Sequence, residues 1–238
     1  MKILVVADLH YSLKQLDWVK SQASRFDLVV IAGDVLDMSS AVDLDVQIVV
    51  IETYLKQFGA QKTILISSGN HDLNDTAGTE RVASWLEESK SEQVLIDWDS
   101  LELQGHLFTI CPWWDGPVTR QLTEETLMAD AAKTKKTWTW IHHNPPDKTP
   151  VSWTGKTYGG DPDLIHWIEK YKPDFILSGH IHNSPFYAEG SWMTKIGSTW
   201  VFNTGKQIGP TPTYIVLDPD ERTACWSSVE GEDSAKLD

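Results

Sequence analysis

The chain has 238 residues and a formal net charge of −14, from 34 acidic and 20 basic side chains. That balance argues against a nucleic-acid module or an anionic-membrane surface, which need clustered Lys and Arg, and it favours bound cations. A hydrophobic fraction of 41% against 23% charged residues excludes a disordered chain.

Residues 1–10, MKILVVADLH, organise the rest of the chain. Residues 3–7 read as a strand buried on both faces, and period-2 geometry beyond it sets Asp8 and His10 on one side. Ser12 is placed to cap a helix that runs to Arg25. Residues 28–32 form a second strand, after which Gly33 allows a tight turn into Asp34 and leaves room for its neighbours. A long amphipathic helix over 42–58 is closed by Gly59. Residues 62–67 are a third strand, and Gly69 precedes Asn70, His71 and Asp72 as Gly33 precedes Asp34. A helix over 81–88 is followed by strands at 94–96, 100–104 and 107–110, with a hairpin at Gly105.

Residues 111–117 form a loop because two prolines and a glycine break regular structure. Its Trp113 and Trp114 either line a pocket mouth or fasten the loop to the core. A polar helix over 124–135 leads to a strand at 138–141, which ends in His142-His143-Asn144-Pro145-Pro146. A helix over 163–170 and a strand at 175–177 lead through Gly179 to His180 and His182. Segments at 186–187, 198–202 and 213–217 read as an antiparallel set with a last strand near 224–227. Residues 1–229 are expected to form one domain, and the charged residues 230–238 a flexible acidic tail.

Cys111 and Cys225 have no metal or redox spacing; two free thiols in a reducing compartment is the simplest state, and a disulfide the alternative. No apolar run approaches the ~20 residues that span a bilayer. The N-terminus enters a strand without a cleavable leader, so the expected location is cytoplasmic, with no membrane association.

Five apolar runs thus end in candidate ligands: Asp8 and His10, Asp34, Asn70, one of His142 and His143, and His180 with His182. In open α/β proteins sites lie beyond the carboxyl ends of strands, so these ends can converge. Carboxylates and imidazoles suit divalent ions, Mn or Fe foremost, with Zn, Ni or Mg as alternatives. Two ions ~3.5 to 4 Å apart need a bridging group, and Asp34 is the natural one. Asp8, His10 and His182 then complete one sphere, and Asn70, His143 and His180 the other. Any one motif has a plainer explanation, a carboxylate capping a helix or a histidine bonded to backbone, but that explanation must hold independently at five strand ends. His142 and His143 point to opposite faces of their strand, so one of them enters the site. His106 and His166 fit no motif and read as structural. Arg81 and Arg120 read more simply as salt-bridge partners than as phosphate contacts, and Lys156 and Tyr158 are further candidates for substrate contact.

The ordered pieces Asp8-Leu-His10, Gly33-Asp34, Gly69-Asn-His-Asp72, His143 with Pro145-Pro146, and Gly179-His-Ile-His182 resemble the calcineurin-like metallophosphoesterase superfamily. The resemblance implies a four-layer α/β/β/α sandwich with two mixed β-sheets and a dinuclear metal site at the strand ends. It selects His143, two positions before the first proline, as the ligand. It also places His71 outside the metal shell, beside the scissile group, where it stabilises the phosphoryl or protonates the leaving oxygen. A histidine, with its pKa near neutrality, suits that work. Asp72 either orients this imidazole or caps a helix.

The expected function is hydrolysis of a phosphodiester, a cyclic nucleotide or other small molecule, by a metal-bridging hydroxide with His71 assisting. The alternatives are a phosphomonoesterase or phosphoprotein phosphatase, and a catalytically weak metal-binding interaction module. The expected partner is a small phosphorylated substrate; no obligate protein partner is inferred. A nuclease would show the basic, aromatic stripe that this chain lacks.

Overall fold

Alternate residues of a strand face opposite ways, and in the computed structural model, which describes residues 1–238, both faces of the central strands are covered. In chain order the strands are β1 (Ile3–Val6), β2 (Leu28–Ala32), β3 (Ile64–Ser67), β4 (Asp75–Ala77), β5 (Glu80–Val82), β6 (Val94–Leu95), β7 (Ser100–Leu103), β8 (His106–Ile110), β9 (Thr137–Ile141), β10 (Phe175–Ser178), β11 (Met193–Ile196), β12 (Thr199–Asn203), β13 (Tyr214–Asp218), β14 (Thr223–Ser228) and β15 (Gly231–Lys236). The α-helices are α1 (Leu13–Gln22), α2 (Leu44–Gly59), α3 (Trp85–Ser89), α4 (Pro117–Ala131) and α5 (Pro162–Tyr171). Two mixed sheets result, one in the order β15-β14-β13-β1-β2-β3-β6 and the other β11-β12-β10-β9-β8-β7, with β4 and β5 forming a separate hairpin.

Ile3, Val5, Val30 and Leu65 pack with Phe108, Ile141, Phe175 and Phe202 between the sheets. Their sequence neighbours Leu4, Val6, Ile31 and Ile66 turn outward to α1, α2 and α3, meeting Leu16, Val19, Ile51, Leu55 and Trp85. On the far side Trp138, Trp140 and Ile176 pack against Leu127 of α4 and Leu164 and Trp167 of α5. The layers are therefore α/β/β/α, as expected. Strands β1, β2 and β3 run parallel, and so do β9, β10 and β12, so each sheet delivers its carboxyl ends to one edge. No helix is long and apolar enough to cross a membrane.

Several expectations fail for reasons of pairing. Residues 231–236, expected within a flexible tail, pair along their length with β14, and Leu237 is 1% exposed. An edge strand needs a neighbour's backbone on one side only, and exposed charged side chains are compatible with that place. The expected antiparallel set divides: β12 lies parallel to β10 in the second sheet, whereas β13 and β14 are antiparallel members of the first. Residues 184–186 form a 3-10 turn with a proline at its start. Residues 81 and 82, expected to open a helix over 81–88, instead belong to β5 and pair with β4. The polar helix starts at Pro117, seven residues before position 124, because proline suits a first helical position and the Glu80 carboxylate accepts the Val118 and Thr119 N–H groups at 2.7 and 2.8 Å.

Asp97, just beyond β6, is 7% exposed and accepts the Ser68 N–H at 2.8 Å. Burial pushes its carboxyl from 3.8 up to about 7. The folded state keeps a proton there that the unfolded state gives up between those values, so this contribution to stability is present at low pH and lost as pH rises through about 7. Asp97→Asn, which mimics the protonated form, is expected to raise Tm by roughly 5 °C at pH 8 and to change little at pH 4. Thermal melts at both pH values check this, and an equal shift at the two removes the linkage.

Candidate metal centre

The site is built from left-handed backbone steps at the strand ends. Asp8, His10, Tyr11, Asp34 and His180 have φ of 55°, 42°, 54°, 53° and 67°. Such a conformation costs a non-glycine residue ~1 to 2 kcal/mol, and four of these five residues are candidate ligands, so strain is concentrated where the donors meet. These turns replace the period-2 geometry expected beyond residue 7: β1 ends at Val6, and a turn aims Asp8 and His10 at one centre. Backbone bonds hold it, from Asp8 N–H to Gly33 O at 3.1 Å and from His10 N–H to Asp34 O at 3.0 Å.

Asp72 holds the neighbouring loop. Its buried carboxylate accepts N–H groups from Asp34, Val35, Leu36 and Gly69 at 2.8 to 3.0 Å. It therefore neither orients the His71 ring nor caps a helix; it fixes the backbone that carries Asp34. Two glycines give the donors space: a Cβ on Gly33 would collide with the His143 ring, and one on Gly69 with the Asp34 carboxylate.

Asp8 Oδ1 lies 3.1 Å from His182 Nε2 and 3.6 Å from His10 Nε2. Asp34 Oδ2 lies 3.2 Å from His143 Nε2 and 3.6 Å from His10 Nε2. Donor atoms of Asp8, His10 and His182 fall within 4.8 Å of one another, and so do those of Asp34, His143 and His180, and of His10, Asp34 and His71. Asp34 and His10 each belong to two of these groups, and Asp34 is the one carboxylate so shared. The Asn70 Oδ1 is buried with no hydrogen-bond partner.

Burial alone would raise the Asp8 carboxyl, but the adjacent His10 and His182 imidazoles and the charge of His143 outweigh it and hold the group well below the usual carboxylate range. Asp34 is likewise pushed up by burial and brought down further by His143. His143 Nδ1 lies 2.7 Å from Ala32 O, and a carbonyl only accepts, so Nδ1–H is committed to it and Nε2 is left facing Asp34 and Asp8. That Nε2 is buried and makes no hydrogen bond of acceptable geometry. Burial lowers the His143 pKa, yet the charges of Asp34 and Asp8 carry it up to about 9; carboxylates that attract a proton to this spot also attract a cation. Burial pushes His180 down to about 4, which leaves a neutral ring able to ligate. The donor set therefore fits divalent ions.

His142 turns the other way. It is buried, stacks on Trp114 with ring centroids 4.0 Å apart, and is pushed down to about 3 by burial. Trp114 Nε1–H donates to Asp161 at 2.8 Å, so this tryptophan fastens its loop, while Trp113 lies against the His143 and His180 rings at 5.9 and 5.1 Å. His71 sits at the rim, 24% exposed, with its backbone N–H donating to Asp34 Oδ1 at 2.8 Å and its Nδ1 accepting the Met38 N–H at 3.2 Å. Burial lowers its pKa despite the nearby Asp34 charge. His106 is buried between Thr137 and Asp220, Arg81 pairs with Asp115, and Arg120 pairs with Asp163. Lys156 is exposed, and the ring of Tyr158 packs on Trp153 at 5.1 Å.

Asn203 escaped the sequence reading. Its Nδ2 lies 2.9, 3.1 and 3.0 Å from Val151 O, Ile181 O and Ser184 Oγ, which share its two hydrogens, and this ties down the loop of His180 and His182. The signal was present: Trp200-Val-Phe-Asn-Thr-Gly205 is a further apolar run ending in a polar residue and a glycine.

The family model for calcineurin-like phosphoesterases matches residues 1–184. Among solved structures, a dimetal phosphatase from Danio rerio aligns with a TM-score of 0.63 at 10% identity, covering 100% of this chain and 99% of that one. The protein TT1561 of Thermus thermophilus aligns at 0.62 with 12% identity over 100% and 99%. A purple acid phosphatase from yellow lupin seeds aligns at 0.59 with 15% identity over 98% of this chain and 53% of its own. Identities this low speak for the fold alone. No curated protein gives a significant match in sequence. The family match spans the strand ends that bring the carboxylates and imidazoles together, and on it the chain belongs to the calcineurin-like phosphoesterases, metal-using hydrolases of phosphoric esters.

Proposed function

We propose that the enzyme hydrolyses a phosphodiester of a small molecule, using two Mn or Fe ions held by Asp8, His10 and His182 on one side and Asn70, His143 and His180 on the other, with Asp34 between. The observation that carries this reading is the convergence of the donor atoms of Asp8, His10 and His182 and of Asp34, His143 and His180 around carboxylates that no Lys or Arg pairs with, together with an Asn70 Oδ1 that is buried without a hydrogen-bond partner. Ions bound there supply water of lowered pKa and offset phosphoryl charge. The chain's own residues position and shield. Asp72 and Asn203 fix the loops that carry the donors, and Trp113 covers the His143 and His180 rings. His71, at the rim, presents a ring N–H to a phosphoryl or leaving-group oxygen. The net charge of −14 favours a small substrate over a polynucleotide. The unpaired Cys111 and Cys225 suit the cytoplasm.

Steady-state rates on an aryl phosphomonoester, a cyclic nucleotide and an oligonucleotide, at matched Mn concentration, test the reading. The highest kcat/KM is expected on the cyclic diester. A preference of ~10-fold or more for the monoester would replace it with a phosphomonoesterase. Inactivity on the whole panel by metal-loaded protein, with metal-dependent capture of a partner, would replace it with a binding module.

A further inference from the structure

Lys206 follows β12 in the loop Thr204-Gly-Lys-Gln-Ile-Gly209, and its backbone N–H donates to His182 O at 2.9 Å. The loop is held from several sides. Gly205 N–H donates to Asn203 Oδ1 at 2.8 Å, and Thr213 Oγ1 donates to Gly205 O at 2.6 Å. Gln15, 4% exposed, reaches over from α1 and donates to the carbonyls of Gln207 and Gly209 at 3.0 and 3.1 Å. Val229 N–H donates to Gln207 Oε1 at 2.8 Å. These bonds fix the backbone on either side of one lysine.

The side chain of that lysine is bound by nothing. It is half-buried, no hydrogen bond engages its ammonium, and it lies within the fields of Asp8, Asp37 and Asp34. Lys90, Lys133 and Lys170 close ion pairs with Asp99, Asp130 and Glu124, and most of the other lysines stand exposed in water, where an ammonium needs no partner. A cation drawn partly out of water without a partner is costly unless a ligand supplies one. Lysine offers three donors on a flexible stem, a point charge suited to a phosphate oxygen. The arginines weighed for that task, Arg81 and Arg120, are committed to Asp115 and Asp163.

We propose that Lys206 binds a non-bridging oxygen of the substrate phosphoryl group and thereby selects for substrate charge. The proposal rests on the phosphoesterase reading of the metal centre. It makes the ammonium a contact for the group being transferred, on the side of the centre formed by His182. A dianionic monoester then gains more from Lys206 than a monoanionic diester does, so the contact narrows the expected preference for the diester, which the rest of the site sets.

Lys206→Gln and Lys206→Arg test this in metal-loaded protein, with inorganic phosphate as the binding probe followed by calorimetry, and with metal content measured on the same samples. Lys206→Gln is expected to keep its metal, to bind phosphate ~10-fold or more weakly, and to raise KM more for an aryl monoester than for the corresponding diester. Lys206→Arg should restore most of the phosphate affinity. Unchanged phosphate affinity in Lys206→Gln overturns the proposal. So does a loss of affinity that tracks a loss of metal, since Lys206 would then only balance the carboxylates. If the wild-type protein binds phosphate through Lys206 yet hydrolyses no ester, the catalytic reading fails and the role of Lys206 stands.

Discussion

Asp34→Asn is expected to strip metal from both positions at once and to lower turnover by ~10³-fold or more. Asp34 is the one carboxylate that two donor clusters share: Oδ2 lies 3.2 Å from His143 Nε2 and 3.6 Å from His10 Nε2, and Oδ1 accepts the His71 backbone N–H at 2.8 Å. An asparagine keeps an oxygen for that N–H but removes the negative charge and the second acceptor. The fold should survive, because the loop is held by Asp72 through the backbone N–H groups of residues 34–36. His182→Ala makes the contrast. His182 belongs to the Asp8 and His10 group alone, so its loss should empty one position and leave the other close to full. Metal content by mass spectrometry, after dialysis against trace metal, separates the two variants. A wild-type protein that saturates at one ion would refute the dinuclear centre.

The second large effect is expected at His71. His71→Ala should keep nearly two metals and lose ~10²-fold or more in turnover, the usual consequence of removing a proton-transferring or charge-stabilising group. The residue stands at the rim of the donor cluster, its ring edge-on to His10 with centroids 4.6 Å apart. Its Nδ1 accepts the Met38 N–H, so in the neutral ring the proton sits on Nε2. Burial holds the pKa below 6.5, which favours that neutral ring at pH 7. A neutral N–H stabilises phosphoryl oxygens without giving up its proton, so two diesters with good and poor leaving groups should lose rate by similar factors. A much larger loss for the poor leaving group would assign proton donation instead. Unchanged turnover with both metals bound would remove His71 from the mechanism.

The donors were legible in the sequence because each belongs to a local pattern, an apolar run that ends in a carboxylate, amide or imidazole, most often after a glycine. The choice between His142 and His143 was legible in part: strand alternation separates them, and the structure turns His142 to Trp114 and His143 to Asp34. What could not be read depends on partners far away in sequence. The role of Asp72 is set by N–H groups from residues 34–36, and the start of α4 by Glu80. The pairing of β13 with β1, and of β15 with β14, depends on sheet order, to which composition is blind; a charged edge strand and a frayed end look alike along the chain. Lys206 was invisible for a related reason, since its half-buried place beside the loop of His182 depends on contacts between distant segments.

The place of β1 in the first sheet also bears on how the protein is made. The strand that leads to Asp8 is flanked by β2 on one side and, on the other, by β13 from near the opposite end of the chain, with Ile3 opposite Leu217 and Val5 opposite Ile215. During synthesis β1 leaves the ribosome well ahead of this second neighbour, by on the order of ten seconds or more at ~5 to 20 residues per second. Over that interval an apolar strand edge is exposed to other nascent chains. Chaperone occupancy should therefore be highest on intermediates from which β13 has not yet emerged and should fall once it has.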